Sequence, residues 1–278
     1  MKVKTAIKIG LSVAILYIVL HSIDERLLWN TLKQSRPGWL VWAAVWFVAS
    51  KIISAVRFRI LLQTENISLS DQKNLRLYWL GMYYNLLLPG GISGDAYKIK
   101  ILMDAYEAPF KRMFAVTLLD RVGGVIALGQ LCIALAFGIP GLQPYTWLGM
   151  VCMALSLPVS WWIYQKSGGS LNSVWGRTSL LSVAVQATQL IATLGIVIAL
   201  GESAHWMEYS VLFLISSVVA MLPLTIGGTG ARELTFLWGA GLLHIDPEKS
   251  VAIAFVFYLI STLVALAGIA FSFDEKII

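Results

Sequence analysis

The chain has 278 residues, of which 58% are hydrophobic and only 13% are charged. Soluble domains carry roughly 25% charged residues, and this sequence has no polar block large enough to form one, so the composition indicates a polytopic membrane protein. The net charge of +6 comes from basic residues in short segments beside apolar runs. That placement is typical of membrane topology signals and of contact with anionic lipid headgroups, and it argues against nucleic-acid binding.

Six apolar segments are long enough to cross a bilayer, which requires about 20 mainly apolar residues. They are residues 5–22, 39–60, 113–138, 144–164, 178–200 and 250–272. Segment 5–22 follows Lys2, Lys4 and Lys8, as in a signal peptide, but no small-residue cleavage site comes after it. We therefore interpret it as a retained first span, and we expect residues 1–278 to form a single membrane domain.

Two glycine-rich stretches interrupt the remaining apolar sequence, and each has Leu-Pro, then Gly-Gly, then a Ser-Gly or Thr-Gly step. They are residues 86–98 (LLLPGGISGDAYK) and 221–233 (MLPLTIGGTGARE). Proline lacks a backbone N–H and glycine has excess backbone freedom, so each stretch predicts a helix, a break and a second helix. The arms of the broken regions, 75–108 and 207–243, are about 10–15 residues long, which is typical of re-entrant hairpins.

The distribution of Lys and Arg predicts an orientation. If the N-terminus is cytoplasmic and both broken regions are re-entrant, fourteen basic residues fall in cytoplasmic segments and four in outer loops. Arg57 and Lys98 are counted among the cytoplasmic fourteen. This arrangement predicts a multi-pass protein of the cytoplasmic membrane with both termini in the cytoplasm.

The same topology predicts an inverted repeat, because the first hairpin enters from the cytoplasm and the second from outside. The repeat units are residues 39–138 and 178–272, and 144–164 is the connecting span. The predicted fold is therefore an all-α polytopic membrane protein with about six transmembrane helices and two re-entrant helical hairpins. Inverted repeats place a substrate site at their interface, near the bilayer midplane.

The second arms of the broken regions begin at Ser93-Gly94-Asp95 and at Thr229-Gly230-Ala231. Free N–H groups and the positive end of a helix dipole suit a phosphate or carboxylate, although such breaks also serve only to shape packing. The predicted substrate-binding residues are Asn85, Gly90, Gly91, Ser93, Gly94, Asp95, Arg121, Gly227, Gly228, Thr229, Gly230, Arg232 and Glu233.

Five ionisable residues lie inside or beside apolar runs, where a charge costs several kcal/mol. They are Asp95, Asp120, Arg121, Arg232 and Glu233. One arrangement places Arg121 close to Asp95, with Arg232 and Glu233 as the matching charged site of the second unit. Two interpretations stay open: ion pairs that lock the bundle, or arginines that neutralise a lipid phosphate while a carboxylate carries a proton.

Two further residues have alternative interpretations. Asn85 is suited to satisfying carbonyls freed by Pro89 or to hydrogen bonding a headgroup. Lys98 is either a topology determinant or a contact for anionic lipids at the cytoplasmic interface. The three histidines and two cysteines lack metal-ligand spacing, and no nucleotide-binding or hydrolase motif is present, so we expect no metal, no cofactor, no catalytic residues and no enzymatic activity.

Three blocks carry a resemblance to a known family: residues 85–95 (NLLLPGGISGD), 120–124 (DRVGG) and 227–233 (GGTGARE). In this order they resemble the flippase-like transmembrane region of the lysylphosphatidylglycerol synthetase family, over essentially the whole chain. The resemblance implies movement of lipids, such as aminoacylated phosphatidylglycerol, between leaflets, and it implies functional roles for Asp95, Arg121 and Glu233. Larger relatives carry a soluble aminoacyl-transferase domain after the membrane part, so we expect a stand-alone member that transfers no lysine from tRNA.

The predicted function is translocation of an anionic phospholipid or a polyprenyl-phosphate-linked lipid between leaflets. Arg121 and Arg232 would hold the phosphate, and Asp95 or Glu233 would couple transport to protons. The alternatives are an intramembrane headgroup-modifying enzyme with Asp95 or Asp120 as general base, and a non-transporting partner in a lipid or glycolipid synthesis complex. The expected partner is the anionic lipid or lipid-linked phosphate and not nucleic acid; the cargo, direction and energy source stay open, and a homo-oligomer is compatible with the sequence.

Overall fold

The computed structural model describes residues 25–87, 93–168, 170–222 and 230–272, and these residues form helices without a β-strand. In chain order the helices are α1 (Glu25–Lys33), α2 (Pro37–Gln63), α3 (Asp71–Leu87), α4 (Ser93–Tyr106), α5 (Phe110–Ala136), α6 (Thr146–Ser167), α7 (Trp175–Ala199), α8 (Trp206–Met221), α9 (Ala231–Leu243), α10 (Pro247–Leu266) and α11 (Ile269–Ser272). Short 3-10 helices, Pro140–Tyr145 and Leu171–Val174, precede α6 and α7.

Five helical segments are long and apolar enough to cross a membrane. They are Pro37–Gln63, Phe110–Ala136, Pro140–Ser167, Leu171–Ala199 and Pro247–Phe271. They coincide with five of the six predicted spans, and the sixth, 5–22, lies outside the described residues. The surface of helix α6 is that of a helix in contact with lipid. Its apolar residues Trp147, Met150 and Leu155 are more than half exposed, and such apolar surfaces are rare on soluble monomers. The prediction of an all-α polytopic membrane protein is confirmed.

At each glycine-rich stretch one helix ends and a second helix begins, as predicted. Helix α3 ends at Leu87 and α4 begins at Ser93, while α8 ends at Met221 and α9 begins at Ala231. These four arms have 17, 14, 16 and 13 residues, respectively. Both halves of the described chain therefore share the order of a long helix, two short arms and a long helix, and the inverted repeat itself stays a prediction.

A polar layer separates two apolar clusters in the bundle. The first cluster contains Phe47, Phe213 and Phe257, and the second contains Phe58 and Leu77. Helix α2 runs through both, and four of its ten residues between Phe47 and Phe58 are polar: Ser50, Lys51, Ser54 and Arg57. At 1.5 Å per residue, Lys51 lies roughly 20 Å from either end of α2, so the polar layer begins at mid-length of a membrane-spanning helix.

Candidate functional site

Arg57 joins three helices in the polar layer. Its side chain is buried in α2, and its Nε donates to Oδ1 of Asp120 in α5 over 2.7 Å. Its Nη1 donates to Oγ of Ser182 in α7 over 2.8 Å. A buried charge requires such compensation, because an isolated ion in an apolar interior loses far more hydration energy than packing returns.

Asp95 is held by two cations. Its Oδ1 accepts from Lys98 Nζ at 2.8 Å, and its Oδ2 accepts from Arg121 Nε of α5. The predicted proximity of Arg121 and Asp95 is confirmed. Lys98 is 4% exposed, and its Nζ also lies over the ring of Phe58, 4.4 Å from the ring centroid. One carboxylate therefore neutralises only one of two neighbouring cations.

Asn85 caps helix α4 from the preceding arm. The Gly94 N–H donates to Oδ1 of Asn85 over 2.8 Å. A Cβ atom at Gly94 would overlap the carbonyl oxygen of Gly81, so only glycine allows α3 and α4 to approach this closely. The Gly94 N–H, which we expected to be free for an anion, is satisfied within the protein.

The second broken region is capped in a comparable way. Gly230 has φ of 82°, which favours glycine, and its N–H donates to Oε2 of Glu233 over 2.9 Å. Arg232 instead donates to the hydroxyls of Ser216 and Ser217, at 3.0 and 3.1 Å, and its guanidinium lies over the ring of Phe257. Arg232 and Glu233 therefore contact different groups, because consecutive helical residues do not face each other, and the matching charged site of the second unit stays a prediction.

A basic cavity of about 230 Å³ lies where α2, α3, α4, α5, α7 and α8 meet. Its polar lining residues are Lys51, Ser54, Arg57, Tyr78, Asn85, Asp95, Lys98, Asp120, Arg121, Gln186 and Gln189. Four of these are cations and two are carboxylates, so the basic cavity has a formal charge of +2. A charge excess of this sign, in an apolar bundle, suits an anionic ligand.

A second cavity of about 270 Å³, which we call the hydroxyl cavity, adjoins the basic one. The two share Lys51, Asn85 and Arg121 among their lining residues. The other lining residues of the hydroxyl cavity are of two kinds. Three are hydroxyl-bearing residues of α10, namely Tyr258, Ser261 and Thr262, and six are apolar, namely Phe47, Met82, Leu86, Ala220, Met221 and Ala265. A ligand bound by the shared cations would therefore have a mainly apolar wall with a few hydroxyl-bearing residues on one side.

The predicted site residues fall into three groups. Asn85, Asp95 and Arg121 line the basic cavity, whereas Ser93, Gly94, Gly230, Arg232 and Glu233 line neither cavity. The remaining predicted residues, Gly90, Gly91, Gly227, Gly228 and Thr229, lie outside the described residues.

Three cations of the site are absent from the predicted substrate-binding residues. Arg57 is predicted as a cytoplasmic charge, and Lys98 as a topology determinant or a contact for anionic lipids at the cytoplasmic interface, but both are buried. Lys51 has no predicted role. The signal was the spacing of Lys51, Ser54 and Arg57: residues three apart lie on the same side of a helix, which here is otherwise apolar. Asp95 and Lys98 have the same spacing on α4.

Comparison with protein families identifies the family to which the chain belongs. The model of the family described as lysylphosphatidylglycerol synthase TM region matches residues 5–268. The chain belongs to this family. A comparison with curated proteins gives no match. As a lysylphosphatidylglycerol synthase TM region, the protein has a function connected with membrane lipids.

The family resemblance and the cavity coincide in two of the three sequence blocks. Residues 85–95 supply Asn85 and Asp95, and residues 120–124 supply Asp120 and Arg121 to the basic cavity of this lysylphosphatidylglycerol synthase TM region. The third block supplies Glu233, which caps its own helix α9, and Arg232, which donates to Ser216 of the neighbouring helix α8.

Proposed function

We propose that the protein translocates an anionic phospholipid or a polyprenyl-phosphate-linked lipid between membrane leaflets, with the lipid phosphate bound in the basic cavity. One observation carries the proposal: four cations face two carboxylates in a cavity of about 230 Å³ within an apolar bundle. Lys51 makes no ion pair with any described residue, and its Nζ lies 4.5 Å from the ring centroid of Phe47. A phosphate would supply the missing negative charge.

The size of the cavities favours a headgroup over a whole lipid. Sites for small molecules occupy about 300–1,000 Å³, and the two adjoining cavities are about 230 and 270 Å³. They therefore suit a phosphate and its substituent, while the hydrocarbon tails stay in the bilayer. The polar layer places the headgroup between the two apolar clusters.

Release of the phosphate requires a reversible contact, and Arg121 is suited to this role. It shares Asp95 with Lys98 and is 24% exposed, so a phosphate can exchange with Asp95 for the guanidinium. Charge-assisted bonds to carboxylate and to phosphate have similar strength. Asp95 would then stay paired with Lys98 in the loaded state.

We further propose that the arm pairs α3–α4 and α8–α9 are re-entrant hairpins of an inverted repeat in the cytoplasmic membrane. Their helices are too short to qualify as membrane spans, and broken helices at membrane depth are tolerated where they line a cavity. Rocking of one unit against the other would expose the basic cavity to each leaflet in turn.

A leaflet-accessibility assay on purified protein in liposomes tests this proposal. Fluorescent phosphatidylglycerol, a polyprenyl phosphate and phosphatidylcholine are compared, with and without a pH gradient. We expect the anionic lipids to move at least tenfold faster than phosphatidylcholine, and faster than in protein-free liposomes. Acceleration by the gradient would support proton coupling. Equal rates with and without protein, in folded samples, would contradict the proposed function.

A further inference from the structure

We infer that an apolar groove along α8 and α9 is a second lipid site, which holds a bilayer lipid with a phosphoethanolamine headgroup. The groove, which we call the α8–α9 groove, has a volume of about 1040 Å³. It is larger than either cavity at the polar layer and shares no described lining residue with them. Its ligand is therefore bound independently of the lipid phosphate in the basic cavity.

One face of each arm forms the walls of the α8–α9 groove. In α8 the lining residues are Glu208, Val211, Leu212, Ile215 and Val219, and in α9 they include Ala231, Leu234, Thr235, Trp238 and Leu242. Both sets follow the same spacing of three, four, seven and eleven residues, which marks a single side of a helix. The hydroxyl of Thr235 donates to the carbonyl of Ala231, so the walls present mainly apolar surface. Trp238 and Leu242 are more than half exposed, and the groove is therefore open to lipid.

The start of α8 and the end of α9 lie at the same end of the groove. A Cβ atom added at Gly239 would collide with the side chain of Leu212, so these two residues are packed together. Gly138 has the same relation to Met207, which brings the connection between α5 and α6 to this end as well.

Three polar lining residues gather at this end. Glu208 is the third residue of α8, His244 directly follows α9, and Tyr145 directly precedes α6. The opposite end, at Val219 and Ala231, is apolar. At 1.5 Å per residue, Glu208 and Val219 are roughly 17 Å apart along α8. This distribution of polarity fits an amphiphile whose headgroup lies beside Glu208 and whose hydrocarbon tail follows the two arms.

Glu208 determines which headgroup fits. Its side chain is 19% exposed, and its ion-pair partner is the half-exposed His205, whose Nδ1 lies 3.7 Å from Oε1. That distance is too long for a hydrogen bond. Among the described lining residues, Glu208 is the one that carries a formal charge. The α8–α9 groove therefore has a formal charge of −1, opposite in sign to the basic cavity, and it suits a cation that donates hydrogen bonds.

The headgroup, rather than the tail, has to provide the selectivity, because bilayer hydrocarbon is as apolar as the walls of the groove. A primary ammonium neutralises Glu208 and donates hydrogen bonds to it. A quaternary ammonium has no N–H to donate, and a phosphoglycerol headgroup brings a negative charge without a positive one. Tyr145 and His244 offer donors for the phosphate of the same ethanolamine lipid.

Photocrosslinking in proteoliposomes identifies the occupant. A photocrosslinking residue replaces Trp238 or, as the control, Leu155 of α6, which is also apolar and more than half exposed but is not a lining residue of the groove. The liposomes contain phosphatidylethanolamine, phosphatidylcholine and phosphatidylglycerol with identical tails. We expect the lipid adducts at position 238 to be enriched about fivefold in phosphatidylethanolamine relative to position 155, because one charge-assisted bond separates the headgroups. Equal lipid compositions at the two positions, or adducts of position 238 with residues 5–22 or with a second copy of the chain, would overturn the inference.

Lipid titration followed by native mass spectrometry tests Glu208. We expect the wild type to retain phosphatidylethanolamine at least about fivefold more tightly than phosphatidylcholine. Glu208→Gln should remove this preference. Glu248→Gln is the matched control, because Glu248 lies in the first turn of α10 and is not a lining residue of the groove. Loss of the preference in both variants, or in neither, would contradict the assigned role of Glu208.

The same titration tests the position of the tail. Ile215 and Val218 are exposed apolar residues of α8, but only Ile215 lines the groove. We expect Ile215→Trp to fill the groove and to weaken lipid retention about tenfold, and Val218→Trp to leave it near wild type. Equal effects of the two variants would contradict the location. Lys51→Gln alters the basic cavity, so it should keep phosphatidylethanolamine retention; absent transport with normal retention would reject the proposed function alone.

Discussion

Nε of Arg57 lies 2.7 Å from Oδ1 of Asp120, and the two side chains are 6% and 8% exposed, respectively. This buried pair connects α2 to α5 and contributes no net charge to the basic cavity. The excess charge therefore comes from Lys51 and from the group of Asp95, Lys98 and Arg121. The pair of Arg57 and Asp120 organises the site, and the other cations make it attractive to an anion.

Breaking the buried pair should cost stability. We expect Arg57→Gln to destabilise the protein by about 3–5 kcal/mol, because Asp120 is left as an unpaired buried charge. The double variant with Asp120→Asn should recover part of the loss. Arg59→Gln is the control: Arg59 pairs with an exposed Asp71, so its loss should cost about 1 kcal/mol or less. Thermal unfolding in detergent measures these changes, and equal melting temperatures for the two arginine variants would refute the role of Arg57.

The contact between Gly94 and Gly81 predicts a second stability effect. In Gly94→Ala the new methyl group would collide with the Gly81 carbonyl, and we expect a loss of about 1–3 kcal/mol or more from overpacking. Gly129→Ala provides the comparison, because nothing lies within 4 Å of its added Cβ; it should be neutral or stabilising, since alanine is the better helix former. A higher melting temperature for Gly94→Ala than for Gly129→Ala would contradict the close approach of α3 and α4 at Gly94.

Asn85→Asp separates the structural role of Asn85 from the charge of the cavity. Aspartate is as good a helix cap as asparagine, so the melting temperature should be kept. The added negative charge lowers the formal charge of the basic cavity to +1, and at about 5 Å from a bound phosphate it costs about 3 kcal/mol at an effective dielectric constant of 20. We expect translocation of phosphatidylglycerol to fall more than tenfold. Unchanged transport would mean that the phosphate does not bind beside Asn85.

Glu202, in the loop between α7 and α8, predicts a pH dependence of stability. Partial burial raises the pKa of Glu202, but hydrogen bonds from Lys249 and from the N–H groups of Ala204 and Ser203 outweigh it and hold the pKa below its usual range. The ionised Glu202 side chain therefore contributes to stability above its unfolded-state pKa of about 4.3. This contribution is lost as the pH falls through the lower pKa of Glu202 in the folded state.

The measurement compares wild type with Glu202→Gln. We expect Glu202→Gln to melt at a lower temperature at pH 7, by an amount corresponding to about 1 kcal/mol or less. The difference should shrink as the pH is lowered below 4. A difference that grows on acidification would contradict the assigned direction of the pKa.

The helices were predictable from the sequence because their signals are local. Apolar length determines the spans, and the Leu-Pro and Gly-Gly steps predict an interruption between the helix that ends at Leu87 and the helix that begins at Ser93. The bonds that build the site are not local. Arg57 and Asp120 are 63 residues apart, and although the spacing of Lys51, Ser54 and Arg57 marks one side of α2, it does not indicate which residue of another helix lies opposite.

The hydrogen bond of Glu233 has a local signal in the sequence. Glu233 follows Gly230 by three residues, which is the spacing of a capping box, where a glutamate at the third helical position accepts the N–H of the capping residue. The prediction of a charged site at Arg232 and Glu233 does not include this bond. Side-chain direction on a helix, rather than proximity in sequence, decides such cases.

The central claim is that the excess positive charge of the basic cavity binds the lipid phosphate, and Lys51 tests it most directly. Lys51→Gln breaks no ion pair with a described residue, so its free energy of unfolding should stay within about 1 kcal/mol of wild type. Lys100→Gln, at an exposed position on α4, is the matched control. In the leaflet-accessibility assay, we expect Lys51→Gln to slow phosphatidylglycerol at least about tenfold, a loss of 1.4 kcal/mol or more, while Lys100→Gln transports normally. Wild-type rates in well-folded Lys51→Gln would contradict the account.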